Sequence, residues 1–196
     1  MSKKILIING SYKKDGNTMT AIRWVQEGMN FKGAASEIIN ISSVKNRYSG
    51  CIGCRRCKIS DEYKCFANDD AARIVLEMPN YDVVVFATPV YFGHFSAQMK
   101  SLIDRMYSHI KIINGEHVVN PLFKNLAIGL IATAGSDYPN GLSLLSKYMK
   151  ELIAGFGNDL HQLLVPGCTV DPKDLKMRTE IREKAETFGQ DLASRS

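Results

Sequence analysis

Cys51, Cys54, Cys57 and Cys65 fall within the fifteen-residue stretch CIGCRRCKISDEYKC, and thiolates so spaced are able to converge on one metal centre. Iron and zinc are both held by cysteine thiolates, but two CxxC steps that share Cys54 resemble iron–sulfur ligation more than the separated pairs of a zinc ribbon. The spacing therefore leans toward redox chemistry. Arg55, Arg56, Lys58 and Lys64 lie among the cysteines, where positive charge would lower thiol pKa values and offset the negative charge of a thiolate-ligated cluster. Three readings stay open on spacing alone: a cluster site, an unmetallated loop whose thiols are structural or redox-active, and a zinc site.

A second constellation is GSYKKDGNT, from Gly10 to Thr18. Ser11, Asn17 and Thr18 supply short polar side chains, Gly16 lets the backbone turn closely, and the free N–H groups of a helix starting here would make an anion site. No GKS or GKT tail follows, and the glycines do not fit a GxGxxG dinucleotide fingerprint. Lacking both the triphosphate-reaching lysine and the pyrophosphate glycines, the loop favours a monophosphate. An ordinary helix cap by Asn17 or Thr18 is the plainer alternative.

Two further loops carry aromatic or small residues. In TPVYFGHFS, from Thr88 to Ser96, Pro89 fixes the chain, Gly93 permits close backbone approach to a ligand, and Tyr91 and Phe92 offer aromatic surface to a flat ring. TAGSDYPNG, from Thr133 to Gly141, adds small residues. Singly each is a turn. Gathered at one edge with a monophosphate loop, they describe a site for a phosphate carried on a planar aromatic system, of which flavin mononucleotide (FMN) is the simplest. His94 is expected to be a bystander, not a proton donor.

The elements that must position these loops are legible as apolar runs and amphipathic stretches. Short strands are expected over residues 4–9, 37–41, 82–88, 126–133 and 161–165. The runs DVVVFAT and the one ending at Thr133 read as strands buried on both faces. Helical spacing is expected over 17–31, 69–78, 97–109, 142–156 and 172–193. Asp69 and Asp70 suit a first helical turn, and Pro79 and Asn80 stop that helix. Five strands alternating with helices predict an α/β fold, with a parallel sheet covered on both faces and ligands bound beyond the carboxyl ends of the strands.

At 196 residues, 45% hydrophobic and 23% charged, the chain reads as a single globular domain spanning 1–196, with a cysteine-rich loop at 48–68. The net charge of +5 is scattered, so nothing calls for nucleic acid. The apolar run before Asn9 is too short for a signal peptide or a membrane span, so a cytoplasmic protein is expected. Five cysteines in such a chain fit reduced thiols or a metal site better than a disulfide framework, and Cys168 reads as a small buried hydrophobe.

SxxxxGNT after the first strand, TPVYFG after the third, and CxxCxxCx7C followed by a pair of aspartates together resemble the flavodoxin-like NADPH-dependent FMN reductase family. The cysteine pattern is similar to that of its iron–sulfur flavoproteins. The resemblance implies a flavodoxin-like three-layer sandwich with a five-stranded parallel sheet of order 2-1-3-4-5. It implies an FMN phosphate held by Ser11, Asn17, Thr18 and the backbone from Lys13 through Gly16 to Met19. Pro89, Val90, Tyr91, Phe92 and Gly93 would line the flavin ring, with Ala134 and Gly135 on its other side. Cys51, Cys54, Cys57 and Cys65 would be the ligands of a [4Fe-4S] cluster where one is held. The implied activity is hydride transfer from NAD(P)H to FMN and onward to a quinone, flavin or other small acceptor. The alternative is an electron carrier relaying electrons from a ferredoxin-like partner to FMN. Family likeness further implies a homodimer or homotetramer, with segment 107–123 as a candidate contact through Ile110, Ile112 and Ile113.

Overall fold

Strand β1 (Lys4–Asn9) reads KILIIN, and its two-residue period sends Ile5 and Ile7 to one face and Leu6 and Ile8 to the other. Both sets are buried, so helices must cover both faces. The computed structural model, which describes residues 3–195, has that arrangement. Strands β2 (Ala35–Asn40), β3 (Val83–Pro89), β6 (Ala127–Thr133) and β7 (Leu160–Val165) join β1 in one fully parallel sheet of order β2-β1-β3-β6-β7. Helices α1 (Asn17–Phe31) and α7 (Thr179–Ser194) pack Ile22, Val25, Met29, Ala185 and Leu192 onto the face of Ile5 and Val85. Helices α3 (Asp70–Glu77), α4 (Ala97–Arg105) and α5 (Ser143–Ala154) pack Ile74, Met99, Leu102 and Met149 onto the face of Leu6, Phe86 and Leu130.

Two elements differ from the sequence expectation. A hairpin, β4 (Ile110–Ile113) paired antiparallel with β5 (Glu116–Val119), leaves the sheet between β3 and β6. It accounts for the shift from the expected numbering 2-1-3-4-5, which counted only five strands. Asn114 and Gly115 both take left-handed φ values, 53° and 84°, as the two central residues of a type I′ hairpin turn require. The expected closing helix is also broken, into α6 (Pro172–Lys176) and α7, because the Arg178 backbone is non-helical and its guanidinium donates to the Pro166 carbonyl at 2.7 Å. Helix α4 ends at Arg105, and one 3-10 turn (Met106–His109) completes the expected span.

Helices α1 and α7 cross at two glycines. A Cβ at Gly28 would sit 1.9 Å from the Glu186 carbonyl oxygen, and one at Gly189 would sit 2.0 Å from that of Val25. The neighbouring atoms are backbone and cannot swing aside. Gly28→Ala is therefore expected to cost about 1–3 kcal/mol by forcing the helices apart. Urea unfolding checks this, and an unchanged midpoint would contradict the close crossing.

Candidate functional site

Because the sheet is parallel, the loops after β1, β3, β6 and β7 emerge at one edge. The first runs from Gly10 to Gly16 into α1. Gly16 occupies the helix cap in an extended conformation, no side chain caps the helix, and the first turn holds no acidic residue. This disposes of the plainer expectation of a cap by Asn17 or Thr18. The first intrahelical bond runs from Thr20 N–H to Gly16 O, which leaves the earlier amides of the helix outside its ladder. Ser11 is buried; its N–H donates to Asn9 Oδ1 at 2.9 Å, and its hydroxyl accepts from Lys13 N–H at 3.2 Å. Asn17 donates through Nδ2 to Thr169 O at 2.8 Å, while its buried Oδ1 has no partner. Thr18 is buried and shares a 2.7 Å hydrogen bond with the Thr133 hydroxyl. The Lys13 side chain is exposed, and that of Met19 lies in the core, so only the Met19 backbone is available to a ligand.

The second loop is a tight turn. Tyr91 and His94 exchange backbone hydrogen bonds of 3.0 Å, with Phe92 and Gly93 at φ values of 50° and 74° between them. A positive φ is costly for a phenylalanine, and Phe92 is fully solvent-exposed, so core packing does not explain the residue. Tyr91 is exposed beside it, Pro89 and Val90 are half-buried, and Gly93 is buried against Leu144. The His94 ring packs on Tyr148 and Phe95, with centroids 4.6 and 5.5 Å away. Burial, reinforced by Lys100 and opposed by Asp104, lowers its pKa.

These loops are stitched together by hydrogen bonds, one of them from Ser96, to which the sequence reading gave no role. Ser96 Oγ donates to Gly10 O at 2.8 Å, Val90 N–H donates to Thr133 O at 2.8 Å, and the Thr18–Thr133 bond joins the first loop to the third. Ala134 is buried and Gly135 exposed; Cys168 N–H donates to Ala134 O at 2.8 Å, bringing the loop after β7 alongside. Cys168 is half-buried there, not fully buried as expected. All four loops thus meet at one edge, and Thr169 joins through Asn17.

The cysteine segment lies at the other end of α4. Ser96 caps that helix on the side of the Tyr91–His94 turn, and Arg105 closes it about 13 Å away at 1.5 Å per residue. Cys51 and Cys54 are exposed, whereas Cys57, on the single-turn helix α2 (Arg56–Ile59), and Cys65 are half-buried. Among the described residues no three histidine, cysteine or acidic side chains are gathered to hold a metal ion. All four thiols instead line one cavity of about 220 Å³. The other charged side chains that line it are Arg47, Arg55, Arg56 and Arg105, with no carboxylate. Four thiols sharing one electropositive space suit a cluster of several metal atoms, whose thiolate charge the arginines would offset, better than a single metal ion.

Two lysines fasten this segment to the hairpin. Lys58 donates to Tyr107 O at 2.5 Å and to Ile110 O, and its ammonium lies 3.2 Å from the Tyr107 ring centroid. Lys111, buried, donates to Cys57 O and Glu62 O at 2.6 Å each and also to Ser60 O. Lys64 pairs with Glu62. The sequence expectation that these cations lower the thiol pKa values fails at Cys57: burial raises its pKa and outweighs Lys58, and the neighbouring thiols push it the same way.

The parallel strands thus end in an uncapped helix start, free to accept an anion, beside a turn of exposed aromatic surface. The chain belongs to the NADPH-dependent FMN reductase family, whose model matches residues 3–151. It is 34% identical to an iron–sulfur flavoprotein of Archaeoglobus fulgidus, over 94% of this chain and 80% of that one. It is 36% identical to an iron–sulfur flavoprotein of Methanocaldococcus jannaschii over 102 residues, 52% of this chain; the match spans about half of that relative, 51%. In fold it is similar to the NAD(P)H:quinone oxidoreductase of Methanothermobacter marburgensis, with a TM-score of 0.74, 16% identity and coverage of 100% and 98% of the two chains. No helix among the described residues is long and apolar enough to cross a membrane.

Proposed function

We propose that this chain is an FMN-dependent NAD(P)H oxidoreductase acting on a quinone, flavin or other small acceptor. The uncapped start of α1, set beside the Tyr91–Gly93 turn by the Ser96–Gly10 and Thr18–Thr133 bonds, carries the proposal. In this reading Ser11, Asn17 and the amides of Asn17, Thr18 and Met19 hold the phosphate. Gly16 and Lys13 shape its loop. Pro89, Val90, Tyr91, Phe92 and Gly93 line one side of the ring, and Ala134 and Gly135 the other. When bound, FMN supplies the redox chemistry, accepting hydride from the nicotinamide and passing electrons on singly or in pairs. The protein's task is to orient the ring and limit water, and no side chain need supply a proton. Flavin extracted from the purified protein at one FMN per chain is the expected result, and protein that neither retains nor takes up FMN would reject the reading.

A second reading is favoured by the four thiols lining one cavity: an iron–sulfur flavoprotein electron carrier, with Cys51, Cys54, Cys57 and Cys65 as cluster ligands. Helix α4 then spans the path between the cysteine cavity and the ring loop. Iron and sulfide in anaerobically purified protein support it, and their absence turns the cysteines into a thiol loop. The five free cysteines fit a reducing compartment and so a cytoplasmic protein, and the single five-stranded parallel sheet supports one domain across the described residues. Exposed Ile112 and Ile113 on the hairpin support a homodimer or homotetramer. Light scattering that finds only monomer at micromolar concentration would remove that assembly.

A further inference from the structure

The cysteine cavity is lined by two buried donors that the fold leaves unused. Ser108 is 2% exposed and its hydroxyl has no hydrogen-bond partner; Arg105 is 1% exposed and its Nε–H has none either. Both residues line the cavity that the four thiols share. The remaining donors of Arg105 are engaged: Nη1 and Nη2 bind Asp69 at 2.8 and 2.9 Å, Nη2 also binds Tyr48 O at 2.7 Å, and Nη1 lies 3.9 Å from Cys65 Sγ. A hydroxyl buried without a partner is destabilising, so a fold that keeps one at a cavity wall fits an occupant that accepts hydrogen bonds there. Ser108 and Arg105 are three residues apart on one continuous helical segment and so share a face. Four arginines line the space, Arg105 among them already paired with Asp69, and their charge would offset that of cysteine thiolates bound to such an occupant.

We propose that Ser108 Oγ–H and Arg105 Nε–H donate to the sulfur atoms of the cluster held by Cys51, Cys54, Cys57 and Cys65, and thereby raise its reduction potential. The proposal rests on the iron–sulfur reading above. Adding one electron makes the cluster and its thiolates one charge more negative. Donors aimed at sulfur stabilise that state more than the oxidised one, so they favour reduction. Ser108 acts as a positioning and tuning residue, neither ligand nor proton carrier.

The test uses anaerobically purified wild-type protein, Ser108→Ala and Ser108→Thr. Iron and sulfide are assayed first, and each protein is then titrated with dithionite under electron paramagnetic resonance. With iron bound in all three, Ser108→Ala should lower the equilibrium constant for one-electron reduction about tenfold, a fall of about 59 mV, while Ser108→Thr stays near the wild type. Loss of iron from Ser108→Ala alone also supports the donor role, since the retained hydroxyl rescues binding. An unchanged potential in Ser108→Ala overturns the proposal, as does equal loss of iron from both variants, which would assign Ser108 to packing. Wild-type protein without iron overturns the cluster reading itself, an outcome separate from failure of the donor role.

Discussion

Arg105→Met lowers the free energy of unfolding by about 3–5 kcal/mol at neutral pH, the expected cost of breaking one side of a buried ion pair. The guanidinium side chain is wholly buried, the Asp69 carboxylate is 4% exposed, and the two meet at 2.8 Å. Methionine fills much of the space but leaves Asp69 charged and desolvated. Asp69 also caps α3 by accepting from Ala72 N–H at 3.0 Å, and it accepts from Arg47 N–H at 2.8 Å. One residue therefore ties α4 to the start of α3 and, through Tyr48 and Cys65, to both ends of the cysteine loop. The pH dependence has a definite sign. Burial alone would raise the Asp69 pKa, but the two amides and the guanidinium together bring it below the ordinary carboxylate value. A depressed folded pKa contributes stability that is present above the unfolded pKa and is lost as pH falls through the folded one. The stability gap between wild type and Arg105→Met should therefore be widest at neutral pH and narrow in acid, where the carboxyl protonates in both proteins. Urea unfolding across that range checks it, and equal stability at neutral pH would contradict the pairing. Adding Asp69→Asn to Arg105→Met should recover part of the loss by removing the orphaned charge.

Asn17→Ala is expected to weaken FMN by about 1.5–3 kcal/mol, the worth of one hydrogen bond to a charged group. The side-chain amide carries two N–H donors, and Thr169 O takes one of them, so the second is free for a phosphate oxygen. Riboflavin, which has no phosphate, is the control: its affinity should fall less than that of FMN, by no more than the lost Asn17–Thr169 bond explains. Flavin fluorescence during titration measures both. Unchanged FMN affinity would mean that the phosphate lies elsewhere. Thr18→Ala should act differently, because the Thr18 hydroxyl is already bonded to Thr133 within the protein. Its loss would loosen the first and third loops together and weaken FMN and riboflavin alike.

Much of this frame is legible in the sequence. The apolar runs around Ile7, Val84 and Leu130 marked buried parallel strands, and parallel strands fix where the loops gather. Ser11, Asn17 and the Tyr91–Gly93 turn stand out in the sequence as short polar residues, glycine and aromatics, and the structure brings their loops to one sheet edge. The hairpin goes beyond the sequence expectation, which takes segment 107–123 only as a contact surface, although Asn114-Gly115 is a turn signal. Arg105, Ser108, Ser96 and Thr169 were not legible. Each acts through a partner 36 to 152 residues away, or through having none, and periodicity within a helix cannot show that. The Cys57 pKa moves against the sequence expectation for a related reason: counting nearby cations leaves out burial, which acts with the opposite sign and is the larger effect.

The measurement that bears most directly on the proposed function is anaerobic addition of NADPH to the FMN-loaded protein, followed at the flavin absorption band. Bleaching of the band by NADPH, with recovery when a quinone is added, is the predicted result. A band that NADPH leaves unchanged but dithionite bleaches would contradict a nicotinamide-dependent oxidoreductase and leave the electron-carrier reading in its place.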